Sequence, residues 1–493
     1  MTQSAKCTKA RGISWKSLVL VPAFTLGFAA AQTPQDLPQA PQPNLPRLDA
    51  TFTAGANGLP VQAATPGPLK LGLDEAIQMG MQYNLQQVLY QQNERAIHGE
   101  ILTVGNALLP TLTAQAQTNT VEINLAAMGF KTSSLAAFGF APGSVSEIVK
   151  VNTTSAQLNL GQQLFNLPAY ELYRAARKAE VVADLTTKLG RGNVALSVGT
   201  KYLQCIADMA QIANAVALEK TDEVALRQAT LSHDAGVGIH LDVLRAQVQL
   251  QTQQQVRINA EDTLAKDKIA LDRLVGLPAD QELELTDTVP FAEFAELSEP
   301  DALKLAFTRR KDYLSLEAQL EVAQHTQKAV RYQRFPTLAV GGYYGVLGET
   351  TGLYHGDFVA QGKLQFPIFQ EASLRGEREV ADAQIERVKH QAASLRVDID
   401  EQIRANMLDV QSSADLVKVA RSNVDLSQQE LADATDRFNA GITDNLPLVQ
   451  AQATLVSAQN RLVQSEFQYN QSKLALARSI GVIETQYKSY LGR

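Results

Sequence analysis

Histidines, cysteines and clustered carboxylates are the side chains that would hold a metal or run acid–base and nucleophilic chemistry, and in this chain they do not gather into a set. The six histidines stand at 98, 233, 240, 325, 355 and 390. His233 and His240 flank the stretch "DAGVGI", but no thiol or carboxylate set joins them at metal-ligand spacing. Cys205 lies alone in a helical pattern and reads as a small buried apolar residue, and with Cys7 it makes no disulfide framework. Asp398, Asp400 and Glu401 fall between Arg396 and Arg404 on a helical stretch, where a solvated or tunnel-lining face accounts for them better than a metal site. "GGYYGVLG" (341–348) is rich in glycine, yet no phosphate-cradling signature opens a helix after it, so small residues in a strand explain it better. The sequence predicts no enzyme, with no catalytic residue, no metal and no cofactor.

The elements that carry these residues matter more than the residues. At 493 residues the chain is too long for one compact core, which favours a repeated architecture. Aromatics make up 6%, and Ala-, Gln- and Leu-rich segments suit helices. A net charge of -7 without a concentrated basic stripe argues against nucleic acid. Lys6, Lys9, Arg11 and Lys16 precede the apolar run "SLVLVPAFTLGFAAA", with small residues for cleavage near Ala31. We read residues 1–31 as a secretory signal peptide, with a membrane anchor as the alternative. Cys7 precedes the apolar run, so it cannot be a lipid-bearing cysteine. A Pro-rich arm over 32–69 reads as disordered.

From there the chain is written twice. "LPTL" (109–112) answers "FPTL" (335–338) at an offset of 226, which Ala76 and Ala302 share. The later parts keep an offset of 204 or 205: "LFN" (164–166) with "IFQ" (368–370), the "AG" pairs at 235 and 440, and Gly276 with Gly481. The first copy carries 22 extra residues within about 121–152. We divide the chain into repeats over 70–277 and 299–482, a linker over 278–298 and a tail over 483–493.

Each repeat reads helix, strand, strand, long helix, tip, helix. Val417, Val424, Leu431 and Phe438 recur every seven residues before the second tip, and Leu448, Leu455, Leu462, Tyr469 and Leu476 do so after it. Such spacing on both arms predicts coiled-coil-like hairpins. The arm from Pro168 to Asp234 would span about 100 Å, with half-length helices over 72–109 and 240–277 stacked alongside. The second copy repeats this with 299–335, 371–439 and 446–480. Gly236 and Gly441 can take the left-handed conformation that ends a helix. Asn445 is a plausible N-cap, Pro447 fits a first helical turn, and Asp242 suits the positive end of a helix.

In "HGDFVAQGKLQFPIFQ" (355–370), Phe358, Leu364, Phe366 and Ile368 point one way and Gln361, Lys363 and Gln365 the other. A membrane barrel strand with lipid outside and water inside has this alternation, as does a half-buried strand of a soluble sheet. "SAQLNLGQQLF" alternates more weakly through Leu158 and Leu160, and Tyr343, Tyr344 and Tyr354 are candidates for an aromatic girdle. Four strands cannot close a membrane barrel, because open edges in lipid leave backbone groups unsatisfied. Three copies would supply twelve strands, enough for a wet lumen. A homotrimer is the expected assembly.

The chain resembles the TolC-like outer-membrane factor family over roughly residues 70–485. The likeness rests on "PTL" entering a strand, "LQFPIFQEASLRGEREVADAQ" leaving one, and "DRFNAGITDNLPLVQAQATLVSAQNRLVQSEFQYNQSKLALARSIG" at the second hairpin. It implies a mainly α fold with a transmembrane β part: a trimeric 12-stranded outer-membrane β-barrel, four strands per chain, continued by a periplasmic α-helical barrel. It also implies an exit duct for efflux or type I secretion, set in outer-membrane lipid and opened at its periplasmic tips by an adaptor protein and an inner-membrane transporter. Asp242 occupies the place of the family's acidic residue after the first tip. At the second tip Phe438 matches the family's aromatic, but Thr443 replaces an arginine and Pro447 and Gln450 replace two aspartates. Asp444 could supply an acidic ring instead. The resemblance thus implies a tip gate with little of the ionic latch, held by apolar and hydrogen-bond contacts. The competing reading is a soluble periplasmic coiled-coil adaptor or structural protein, which would need one hairpin where this chain has two.

Overall fold

A computed structural model describes residues 63–127, 146, 148–287, 292–294, 297–440, 442–443 and 446–492. The expected signal peptide, most of the Pro-rich arm and most of the 22-residue insertion lie outside the described residues.

The chain enters through strand β1 (Leu69–Leu71) and runs through helices α1 (Leu73–Tyr83) and α2 (Leu85–Asn106). Strands β2 (Thr111–Asn124) and β3 (Ile148–Phe165) follow, then the long helix α3 (Leu167–Asp234) and the returning helix α4 (His240–Val275). After strand β4 (Leu283–Leu285) the order recurs as α5 (Glu299–Arg309), α6 (Lys311–Tyr332), β5 (Thr337–Glu349), β6 (Tyr354–Gln365), α7 (Glu371–Asn439) and α8 (Leu446–Ile480). Corresponding helices match in length: 11 residues in α1 and α5, 22 in α2 and α6, 68 and 69 in the two long arms. At 1.5 Å per residue each long arm spans about 100 Å.

Two expectations need correction. The stretches 72–109 and 299–335 are not single helices, because Asn84 and Arg310 take extended backbone (ψ 129° and 123°) and break each into two. The Asn84 side chain then accepts from the Gln86 amide and caps α2. The tail after 482 is also structured: it forms helix α9 (Ile483–Leu491), which buries Ile483, Tyr487, Tyr490 and Leu491 on one face.

The heptads pack as spaced. Along α7, Ile403, Val410, Val417 and Val424 are buried seven residues apart, with Ser413, Ala420, Ser427 and Ala434 as a second seam. On α8, Leu448, Leu455, Tyr469 and Leu476 are buried. Small side chains in the second seam let the helices approach closely. Further up, Ala176, Ala179 and Ala183 of α3 receive Ile97, Ile101 and Val104 of α2.

The main core lies where the half-length helices meet end to end against the long ones. It gathers Leu71, Ile77, Tyr202, Leu271, Ile399, Ile403, Leu474 and Ile483 from both repeats. The segment between the repeats is strapped across this core. β1 pairs with β4 in parallel, Leu69 opposite Leu283. Thr65 donates its amide to the Gln281 side chain at 2.8 Å, and Gln281 returns a hydrogen bond to the Gly67 carbonyl at 3.0 Å. Residues 65–69, expected in the disordered arm, are therefore held. Lys268 and Lys473, which occupy the same place in the two repeats, donate to the Leu283 and Ala292 carbonyls at 2.8 and 3.1 Å. Lys473 is fully buried, and burial pushes its ammonium down to about 8.

Strands β2, β3, β5 and β6 form one antiparallel sheet in that order. The β3–β5 ladder joins the repeats, with Leu158 opposite Tyr344 and Leu160 opposite Gly342.

Candidate functional site

Pairing register turns the weak alternation of single strands into two distinct sheet faces. One row runs Ala114, Leu158, Tyr344, Phe358 across the four strands, and the next runs Leu112, Leu160, Gly342, Ala360. Leu338 pairs with Leu364 on the same face. Because side chains alternate with period two, these residues share one side. Leu112, Leu158, Leu160, Tyr344, Phe358 and Leu364 are all exposed there, a contiguous apolar surface of the kind that soluble chains cover.

The opposite face is polar. Its rows are Thr113, Asn159, Tyr343, Val359 and then Gln115, Gln157, Gly345, Asp357. Gln361 stands opposite Gly341, Lys363 opposite Ala339 and Gln365 opposite Thr337, so the three expected polar residues fall on this side. Tyr343, expected in an aromatic girdle, also belongs here, and its hydroxyl donates to Asp357 Oδ2 at 3.1 Å. Tyr344 and Tyr354 have the parity of the apolar face. Gln115, Gln157, Asn159 and Asp357 were not singled out from the sequence, although "TLTAQAQ" alternates in the required way. Phe366 and Ile368 are exposed but lie beyond β6, which ends at Gln365. Pro367 has no amide N–H to continue a ladder, so the strand stops three residues before the apolar pattern ends.

Both outer strands, β2 and β6, lack a partner on one side among the described residues. The helices behave in the same way. Between the core and the tips α3 packs between α4 and α8, and α8 packs on α7; between the core and the sheet α3 packs between α2 and α6, and α6 packs on α7. One flank is thus built from β2, α2 and α4, and the other from β6 and α7. Each flank exposes large apolar residues: Leu102, Leu241, Leu244, Val248 and Ile258 on the first, Val380, Val397, Leu408, Val419 and Leu426 on the second. No helix among the described residues is long and apolar enough to cross a membrane.

The hairpin tips close alike. In the first, Gly236 has φ +76°, and the Val237 amide reaches back to the Ser232 carbonyl at 3.0 Å. In the second, the Ile442 amide reaches the Arg437 carbonyl at 3.0 Å. Such bonds satisfy carbonyls at the helix end. Val237 and Ile442, equivalent by the offset of 205, are exposed, as are Leu241 and Leu446. Asp242 lies in the first turn of α4, with its carboxylate 3.7 Å from Arg245 of the same helix. Phe438 is half-buried in the last turn of α7, Thr443 is half-buried after it, and Pro447 and Gln450 are exposed on the first turns of α8. Gly441, Asp444 and Asn445 lie outside the described residues.

Comparison with known proteins places this geometry. The family described as outer membrane efflux protein matches residues 90–277 and 302–482, one block per repeat. The alkaline protease secretion protein AprF of Pseudomonas aeruginosa is 24% identical over 348 residues, covering 66% of this chain and 69% of that protein. The outer membrane protein TolC of Escherichia coli K12 is 20% identical over 354 residues, covering 69% and 71%. Among solved structures, the outer membrane protein VceC of Vibrio cholerae superposes with a TM-score of 0.68 at 16% identity, over 83% of this chain and 96% of that one.

Proposed function

The chain belongs to the outer membrane efflux protein family, whose channels sit in the bacterial outer membrane and extend into the periplasm, and from that premise we propose how it builds its duct. Three copies close edge to edge. The flank made of β2, α2 and α4 in one copy meets the flank made of β6 and α7 in the next, giving twelve strands and a continuous helical wall.

One observation carries this reading: among the described residues, sheet and helices end unpartnered on the same two flanks. A head-to-tail contact of two different flanks closes into a ring when the rotation allows. Closure pairs the open edges of β2 and β6, which lipid would otherwise leave without hydrogen bonds. It also covers apolar residues such as Val248 and Val419, and it turns Gln361, Lys363 and Gln365 into a wet lumen with Phe358 and Leu364 toward lipid.

At the far end the hairpin tips form the gate. Thr443, Pro447 and Gln450 stand where the resemblance would place charged partners, which supports closure by apolar and hydrogen-bond contacts involving Phe438 and Thr443 over an ionic latch. Asp242 is only loosely paired, 3.7 Å from Arg245 of its own helix. Exposed Val237, Leu241, Ile442 and Leu446 offer a periplasmic adaptor an apolar surface, through which an inner-membrane transporter would be coupled. Fractionation tests the assembly. A heat-modifiable trimer in outer membranes is expected, and release of a folded monomer by osmotic shock would instead favour a soluble coiled-coil adaptor.

A further inference from the structure

His233 and His240 have no ligand set in the sequence, and folding brings their rings together. His233 stands in the last turn of α3 and His240 is the first residue of α4. Their ring centroids are 5.3 Å apart, with planes inclined by 43°. Both side chains are exposed. Nδ1 of His233 lies 3.4 Å from the Gly238 carbonyl oxygen. A carbonyl only accepts, so the neutral ring carries its proton on Nδ1 and Nε2 keeps its lone pair. Metal-bound histidines are commonly held in this way, the second nitrogen donating to a backbone carbonyl. The separation also fits. With metal–nitrogen bonds of about 2.0–2.1 Å and tetrahedral coordination, two imidazole centroids stand roughly 5 Å apart.

We propose that His233 and His240 form a two-imidazole site for a divalent transition ion (zinc, nickel or copper) that staples the end of α3 to the start of α4. Imidazole suits these ions, whereas magnesium and calcium prefer oxygen. Solvent completes the coordination sphere, since both rings face water. The second hairpin cannot bind in this manner, because Phe438 and Asn445 hold the corresponding positions. The staple is a property of the first tip alone, and it constrains the turn through Gly236 that the gate reading needs to move.

Titration of Zn2+ into the purified, metal-stripped protein in detergent, followed by calorimetry, tests the site. One ion per chain is expected near neutral pH, with affinity falling on acidification because the ligands must shed protons. His233→Gln and His240→Gln should each weaken binding by at least about tenfold, in keeping with the sensitivity of metal sites to their ligand shells. His98→Gln is the control: it removes another exposed imidazole, 3.1 Å from Glu180, and should leave binding unchanged. Unaltered helical circular dichroism in each variant ties a loss to the missing ligand. Absence of binding at millimolar Zn2+, persistence in either tip variant, or loss in His98→Gln overturns the proposal. None of these readouts uses transport, so failure here is separate from failure of the exit-duct reading.

Discussion

Asn84 and Arg310, 226 positions apart, reach the same point of their respective repeats with different chemistry. Each stands at the break between two short helices and donates a side-chain hydrogen bond to the end of a returning helix: Asn84 Nδ2 to the Leu274 carbonyl at 3.0 Å, Arg310 Nη1 to the Ser479 carbonyl at 3.1 Å. Leu274 and Ser479 are themselves 205 apart. Beyond this bond the Asn84 side chain only accepts from the Gln86 amide, whereas the buried guanidinium also holds Asp312 bidentately at 2.6 and 3.0 Å and Gln402 at 2.9 Å.

The difference predicts unequal costs. Burial alone would raise the Asp312 carboxyl, but the Arg310 guanidinium outweighs it and the carboxyl lies below its ordinary value. Arg310→Ala strands that carboxylate and should cost about 3–5 kcal/mol; Asn84→Ala should cost about 1 kcal/mol. Denaturant unfolding of the detergent-purified protein reads both. The Asp312 contribution is present above the usual carboxylate range and is lost as pH falls through its lowered value, so the Arg310→Ala deficit should shrink in acid.

Glycines with the same backbone angle should respond differently to alanine. Gly276 and Gly481 both have φ +83°, and a Cβ would stand 2.7 Å from the Tyr83 carbonyl oxygen in one and 2.9 Å from Arg310 Cα in the other. Gly236 has φ +76° with nothing within 4 Å. Gly236→Ala should carry only the left-handed penalty of about 1–2 kcal/mol. Alanine at 276 or 481 should cost more, because backbone must shift as well. Thermal melts of the three variants give the ranking; equal losses would refute it.

Neighbouring residues on β6 should separate lipid from lumen. Phe358→Arg puts a charge on the apolar face and should reduce the outer-membrane yield of folded protein, a burden of about 2–4 kcal/mol at the bilayer centre. Asp357→Arg, one residue away on the polar face, should assemble normally and shift ion selectivity in planar bilayers toward anions.

Asp272 is fully buried, with neither carboxylate oxygen hydrogen-bonded. Burial raises it to about 7, opposed by Lys268 and assisted by Asp280. The folded chain therefore keeps this proton up to about pH 7, while the unfolded chain releases it near 3.8. Stability should fall as pH rises between those values and level off above. Asp272→Asn should remove that slope, melting higher than the parent at pH 8 and no higher at pH 4.

The periodicities of two and seven and the repeat offsets were legible in the sequence because they are local. Heptads at Val417 and Leu455, glycine at Gly236 and alternation through Phe358 each express what one backbone segment requires of its own side chains. They yielded the duplicated helix–strand–strand–hairpin order, while the exit-duct reading came from the family resemblance those segments carry. Tertiary structure alone decided the register that sets Gln115, Gln157 and Asp357 on one face, the breaks at Asn84 and Arg310, the strapping of the inter-repeat segment by Lys268 and Lys473, and the meeting of His233 with His240. The first three depend on which distant carbonyl or strand lies opposite, and the last on the turn geometry at Gly236; side-chain spacing along one segment encodes neither.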